Sequence, residues 1–115
     1  MSDSSPMPIE VDVHQTAALL KAEDSEFILL DVREQDEYDF ASIKGSVLIP
    51  MSELQSRIGE IEALGEKHII VHCHHGGRSL HVTEFLRARG IEKVQNMTGG
   101  IDAWSTEING EVPRY

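Results

Sequence analysis

The stretch Ile69-Ile70-Val71-His72-Cys73-His74-His75-Gly76-Gly77-Arg78-Ser79 decides how this chain is read. Its first part is a short apolar run with no polar alternation, which is what a strand covered on both faces requires. The run ends on the chain's one cysteine. Imidazoles flank that cysteine, and two glycines, an arginine and a serine follow it. Free cysteine is among the most buried residue types, so a structural thiol is the reading to beat. A thiol used only for packing would need no such surroundings.

Working outward, Phe27 to Val32 forms a second near-continuous apolar run, and Ile9–Asp12, Ser46–Ile49 and Lys93–Met97 are shorter strand candidates. Helical patterns lie between them. Asp12 with Gln15 reads as a capping box opening a stretch through Ala17, Ala18, Leu19 and Leu20, and Ser52 with Gln55 repeats the device before Leu54, Ile58, Ile61 and Leu64. A third helix is expected from Ser79, with Val82, Phe85, Leu86 and Arg89 on one stripe and Gly90 as its C-cap. Strands and helices alternate. This predicts a single α/β domain, a central, mostly parallel five-stranded sheet with helices on both faces. Ligands of such sheets gather beyond the carboxyl ends of the strands. Cys73 stands there.

At 115 residues the chain suits one hydrophobic core. Residues 1–8, rich in Ser, Pro and Asp, read as a loose tail, and 9–115 as the domain. No apolar run approaches the roughly 20 residues that span a bilayer, and the N-terminus lacks a secretory pattern, so no membrane partner is expected. One cysteine allows no internal disulfide, which points to a reducing compartment and a cytoplasmic location. Ten Lys and Arg against 20 Asp and Glu give a net charge of −10 with no basic stripe, so no nucleic acid is expected as a partner. Asp24, Glu26, Glu34, Asp36, Glu37 and Asp39 read as a solvated acidic face.

A thiol attacks poorly until it loses its proton; an unperturbed cysteine is only about 3% thiolate at pH 7. Three features near Cys73 favour the anion. A helix starting near Arg78 or Ser79 turns unpaired N–H groups towards the loop. Gly76 and Gly77 let successive amides curl into an anion-binding nest. Arg78 adds a permanent cation with a planar fork of donors.

The spacing of Cys73, four intervening residues, then Arg78 and Ser79 resembles the active-site loop of the rhodanese-like sulfurtransferases. Leu29 to Pro50 is similar to that family's Asp-Val-Arg stretch, here Asp31-Val32-Arg33, followed by Glu37-Tyr38, Gly45 and Ile49-Pro50. Gly99 to Trp104 resembles its Gly-Gly-x-x-Ala-Trp. The likeness covers roughly residues 9 to 104, with Ala41-Ser42-Ile43 where family members commonly carry Gly-His-Ile. It implies a rhodanese-like fold and a thiosulfate sulfurtransferase type of transferase. Cys73 would take the outer sulfur of thiosulfate or another persulfide donor, hold it as a persulfide, and pass it to cyanide in vitro or a thiol in the cell. His74, His75, Gly76, Gly77, Arg78 and Ser79 would form the substrate loop, and no cofactor would be needed. The partners implied are a small anionic sulfur donor and a thiol or protein acceptor.

Two other classes are weighed against this. Cysteine-dependent phosphatases and arsenate reductases use a similar cradle, the phosphatase loop having five residues between Cys and Arg, one more than here. A module that keeps the fold but binds without turnover would more often lack the cysteine. A metal centre at His72, Cys73, His74, His75 and His81 is not expected, because zinc ligands usually come in two spaced pairs. Arg33 and Glu37 follow the Phe27–Val32 strand at the same sheet edge, as a mutual pair or at the pocket mouth. Trp104 reads as core or pocket wall, and Met51 and Met97 as packing.

Overall fold

Phe27–Asp31 (β2) and His68–His72 (β4) pair in parallel at the centre of a sheet, in register from Phe27 opposite His68 to Asp31 opposite His72. The structure, a computed structural model, describes residues 7–22 and 26–115; the first six residues of the expected tail, and Asp24 of the acidic face, lie outside the described residues. Glu10–Val11 (β1), Val47–Leu48 (β3) and Val94–Met97 (β5) complete the sheet in the order β1-β5-β4-β2-β3. Every pairing is parallel.

The apolar runs are unbroken because both faces of the sheet are covered. On one face Ile69 and Val71 join Leu30, Val32 and Val94 under Leu54, Ile61, Val82 and Leu86. On the other, Ile70 and Leu29 pack with Met97, Ile101 and Trp104. Alternate residues of a strand point to opposite faces, so one strand supplies both cores. Trp104, 6% exposed, is core.

The helices are Val13–Lys21 (α1), Gln35–Phe40 (α2), Ile58–Glu62 (α3), Gly77–Ala88 (α4) and Gly100–Glu107 (α5). The Asp12 capping box forms in both directions: the Gln15 N–H donates to Asp12 Oδ1 at 2.7 Å and the Asp12 N–H to Gln15 Oε1 at 3.0 Å. The Ser52 box does not form. Ser52 lies inside a 3₁₀ turn, Met51–Glu53, and its hydroxyl donates to Glu34 at 2.7 Å. A helical hydrophobic pattern from Leu54 to Leu64 thus yields only the short α3, because a capping side chain was drawn off by a carboxylate from another element. Helix α4 starts at Gly77, two residues before the expected Ser79, and ends at Ala88 with Arg89, not the expected Gly90, as its C-cap; Gly90 follows at φ +92° and the Ile91 N–H closes onto the Leu86 carbonyl at 3.0 Å. Arg89 leaves the apolar stripe and pairs with Glu62.

Candidate active site

Cys73 follows the last residue of β4 and is 1% exposed. Its sulfur is not sealed among aliphatic groups. The Gly76 N–H lies 3.1 Å from Sγ, and the Ser79 N–H and hydroxyl each lie 3.3 Å from it. Gly76 makes this possible: with φ +113° it is the N-cap of α4, a conformation that turns the chain back over the sulfur and that other residues rarely adopt. Donors aimed at one sulfur from a helix N-terminus favour an anion there.

The loop is held from α5. The Ile101 N–H donates to the Cys73 carbonyl at 2.9 Å and the Asp102 N–H to that of His74 at 3.1 Å. Gly100 lies beneath both carbonyls with φ +60°, and a Cβ there would fall on the Cys73 carbonyl oxygen and 2.5 Å from the His74 one. Gly100→Ala should therefore cost at least about 2 kcal/mol, from the left-handed backbone plus a contact with backbone atoms that have nowhere to go. A thermal midpoint equal to that of the wild type would show that α5 does not clamp the loop.

Ser79 connects the sulfur to the sheet. Its Oγ lies 2.5 Å from Asn96 Oδ1 and 3.2 Å from the Gly76 carbonyl, besides its contact with Cys73. A hydroxyl has one proton, so it serves these acceptors one at a time. The Asn96 amide donates its other end to Glu10 at 3.2 Å, which leaves its oxygen facing Ser79.

Arg78 meets Glu37 in a two-pronged ion pair, Nη1 to Oε2 at 2.9 Å and Nη2 to Oε1 at 2.8 Å. The expectation that Glu37 is merely part of a solvated face is corrected: its side chain is 18% exposed. The Arg78 bonds, outweighing the cost of desolvation, hold its carboxyl down at about 2.

Residues 12–107 match the model of the rhodanese-like domain. The chain belongs to the rhodanese-like domain family. It is 36% identical over 89 residues to the Arabidopsis thaliana rhodanese-like/PpiC domain-containing protein 12, chloroplastic, covering 76% of this chain and 30% of that protein. The chain spans less than half the length of this and the next curated relatives it matches. Among solved structures it resembles a rhodanese-related protein of Thermoplasma volcanium, with TM-score 0.75, 33% identity and coverage of 88% and 94% of the two chains. A human single-domain sulfurtransferase, TSTD1, gives TM-score 0.75 at 26% identity, covering 87% and 97%.

Not every residue singled out in the sequence reaches the mouth of this rhodanese-like domain. Arg33 does not. It is fully buried, with Nε 3.0 Å from Asp31 Oδ1 and Nη2 2.7 Å from Asp31 Oδ2. The reason is Asp31, itself fully buried at the end of β2, a charge that must be matched where it stands. His72 beside them is also fully buried, 3.7 Å from Asp31, and burial holds it below the ordinary histidine range.

His74 stacks between His75 and the ring of Tyr115, each 3.9 Å from it centre to centre. Desolvation, then the charge of His75, lowers its affinity for protons. The His75 side chain is 67% exposed and reaches to 3.9 Å from Asp102. Met51, expected as packing, is instead exposed and lines a groove of about 450 Å³ with Ser52, Leu54, Gln55, His81, Val82 and Phe85. Asn96, Asp102 and Tyr115 were not singled out. Asn96 had a signal, shared with Gln95, as a polar residue inside the expected strand Lys93–Met97; Tyr115 had none, because its partners lie 78 and 82 residues away.

Proposed function

We propose that this rhodanese-like domain is a sulfurtransferase with Cys73 as its nucleophile. The observation that carries the reading is the convergence of two backbone amides, those of Gly76 and Ser79, on Cys73 Sγ. The relatives named above, one of them a sulfurtransferase, support the same chemistry.

The Cys73 thiolate attacks the outer sulfur of a donor. The donor's sulfur–sulfur bond breaks and its electron pair leaves with the rest of the molecule, as sulfite from thiosulfate or as a thiolate from a persulfide. Cys73 then carries one extra sulfur. An acceptor, cyanide in the assay or a cellular thiol, attacks that outer sulfur, and the bonding pair returns to Cys73 as thiolate. No electron enters or leaves, and no cofactor is needed. The two amides stabilise the anionic sulfur in both resting forms, each such donor being worth a few kcal/mol in comparable sites. His74, His75, Gly77 and Arg78 form the remainder of the loop around the reacting sulfur. The lone thiol suits a reducing compartment such as the cytoplasm.

The test is the intact mass after incubation with thiosulfate, polysulfide or a small-molecule persulfide. A gain of one sulfur atom, mapped to Cys73, is expected. No adduct with any of the three would overturn the reading in favour of a binding module. Salt provides a second readout. With a net charge of −10 and Arg78 already paired, long-range repulsion dominates the approach of an anion, so the second-order rate constant with thiosulfate should rise between low and moderate ionic strength. A steep fall would show that a local cationic field governs encounter.

A further inference from the structure

The fork of Arg78 is the natural seat for an oxyanion at this mouth, and it is filled from within. Planar guanidinium groups bind carboxylate, sulfonate and phosphate through two parallel N–H···O bonds. Arg78 directly precedes Ser79, whose N–H lies 3.3 Å from Cys73 Sγ, and both of its terminal nitrogens hold Glu37.

Glu37 is held firmly in that seat. Its Oε2 also accepts the Glu34 N–H at 2.9 Å, and its Oε1 accepts the Tyr115 hydroxyl at 3.0 Å. Each oxygen therefore receives two donors, which fills the roughly four lone-pair sites of a carboxylate. The Tyr115 hydroxyl is itself oriented by Arg33 Nη1, 2.9 Å away.

The neighbouring cations are committed as well. Arg33 is buried against Asp31, and Arg114 binds Asp102 at 2.9 Å. Among the described residues, each arginine around the loop thus has a carboxylate partner. A dianion such as thiosulfate meets no unpaired guanidinium here, and to take the two-pronged seat on the terminal nitrogens of Arg78 it must displace a carboxylate that carries four hydrogen bonds.

We infer that Glu37 is a specificity-determining residue: it occupies the place of a donor's anionic group and turns the site towards persulfides of low net charge. This rests on the sulfur-transfer reading above. Thiosulfate expels sulfite and brings its charge on the leaving group, whereas a persulfide R–S–SH transfers its outer sulfur and expels R–S⁻, so R needs no cationic seat. Excluding one donor by an internal charge, rather than by better contacts to the other, is a general route to discrimination.

The test compares kcat/KM for thiosulfate and for cysteamine persulfide, a donor whose ammonium group offsets its sulfur charge, in the wild type and in Glu37→Gln with cyanide as acceptor. Glutamine keeps an oxygen for its neighbours and loses the charge. The wild type should favour the persulfide by about a hundredfold or more. In Glu37→Gln that preference should shrink by about tenfold or more, mainly through a lower KM for thiosulfate. A preference unchanged or enlarged in the variant, or a wild type that uses both donors equally well, overturns the inference and leaves sulfur transfer standing. Failure of both donors to load Cys73 removes the sulfur-transfer reading and this inference with it. Should Glu37→Gln not fold, the wild type decides: sulfate at millimolar concentration should give Cys73 no protection from iodoacetamide, and clear protection would show that Arg78 accepts external dianions despite Glu37.

Discussion

Cys73→Ala should reduce sulfur transfer by about 10⁴-fold or more, the scale on which removal of a covalent nucleophile is felt. The variant loses one buried atom. The Gly76 and Ser79 donors stay in place, because their positions are set by the turn at Gly76 and by the clamp from α5 rather than by the sulfur. Alanine therefore removes chemistry with little loss of fold, at a cost of about 1 kcal/mol or somewhat more for the vacated space. The measurement is thiocyanate formation at saturating donor, together with a thermal melt to show that the protein is folded. Residual turnover above about 1% of wild type would place the reacting group elsewhere, since the nucleophile is the one part of such a site whose loss the others do not replace.

Arg33→Met should have the largest effect on stability. Arg33 and Asp31 are both fully buried, and three bonds join the guanidinium to the carboxylate: Nε to each oxygen at 3.0 and 3.2 Å, and Nη2 to Oδ2 at 2.7 Å. Nη2 also donates to the Ala41 carbonyl at 2.6 Å. Methionine fills much of the volume but leaves a carboxylate in the interior with no cation and a carbonyl with no donor. Breaking a buried pair on one side costs about 3–5 kcal/mol, against a total stability of about 5–15 kcal/mol for a domain. The variant should melt far below the wild type or fail to fold. Asp31→Leu combined with Arg33→Met should recover part of the loss, because the orphaned charge is removed too. A single variant that costs less than about 1 kcal/mol would show that water reaches Asp31 and that the pair is not buried in solution.

The same pair corrects what linear reading makes of Arg33. An arginine two residues past a buried aspartate at a strand end can face a ligand or turn inward to its neighbour, and both arrangements obey the same spacing. Burial of Asp31 decides it. Glu37 was legible as a residue near the loop, while its role as the partner of Arg78, 41 residues away, was not. Ser52 shows the reverse error: a local capping signal is sound only while no stronger acceptor competes, and Glu34 does compete.

What the chain alone determined was everything governed by neighbours in sequence. Unbroken apolar runs imply strands buried on both faces, Asp12 and Gln15 cap each other across three residues, and Gly76 supplies a backbone angle that lets amides close on Cys73. The strand order β1-β5-β4-β2-β3 decided the remainder. It sets α2 beside the cysteine loop, brings Asn96 under Ser79 and lays Tyr115 on His74. Such contacts join residues far apart along the chain through burial and charge, and these forces depend on which groups the fold removes from water together, not on their spacing in sequence.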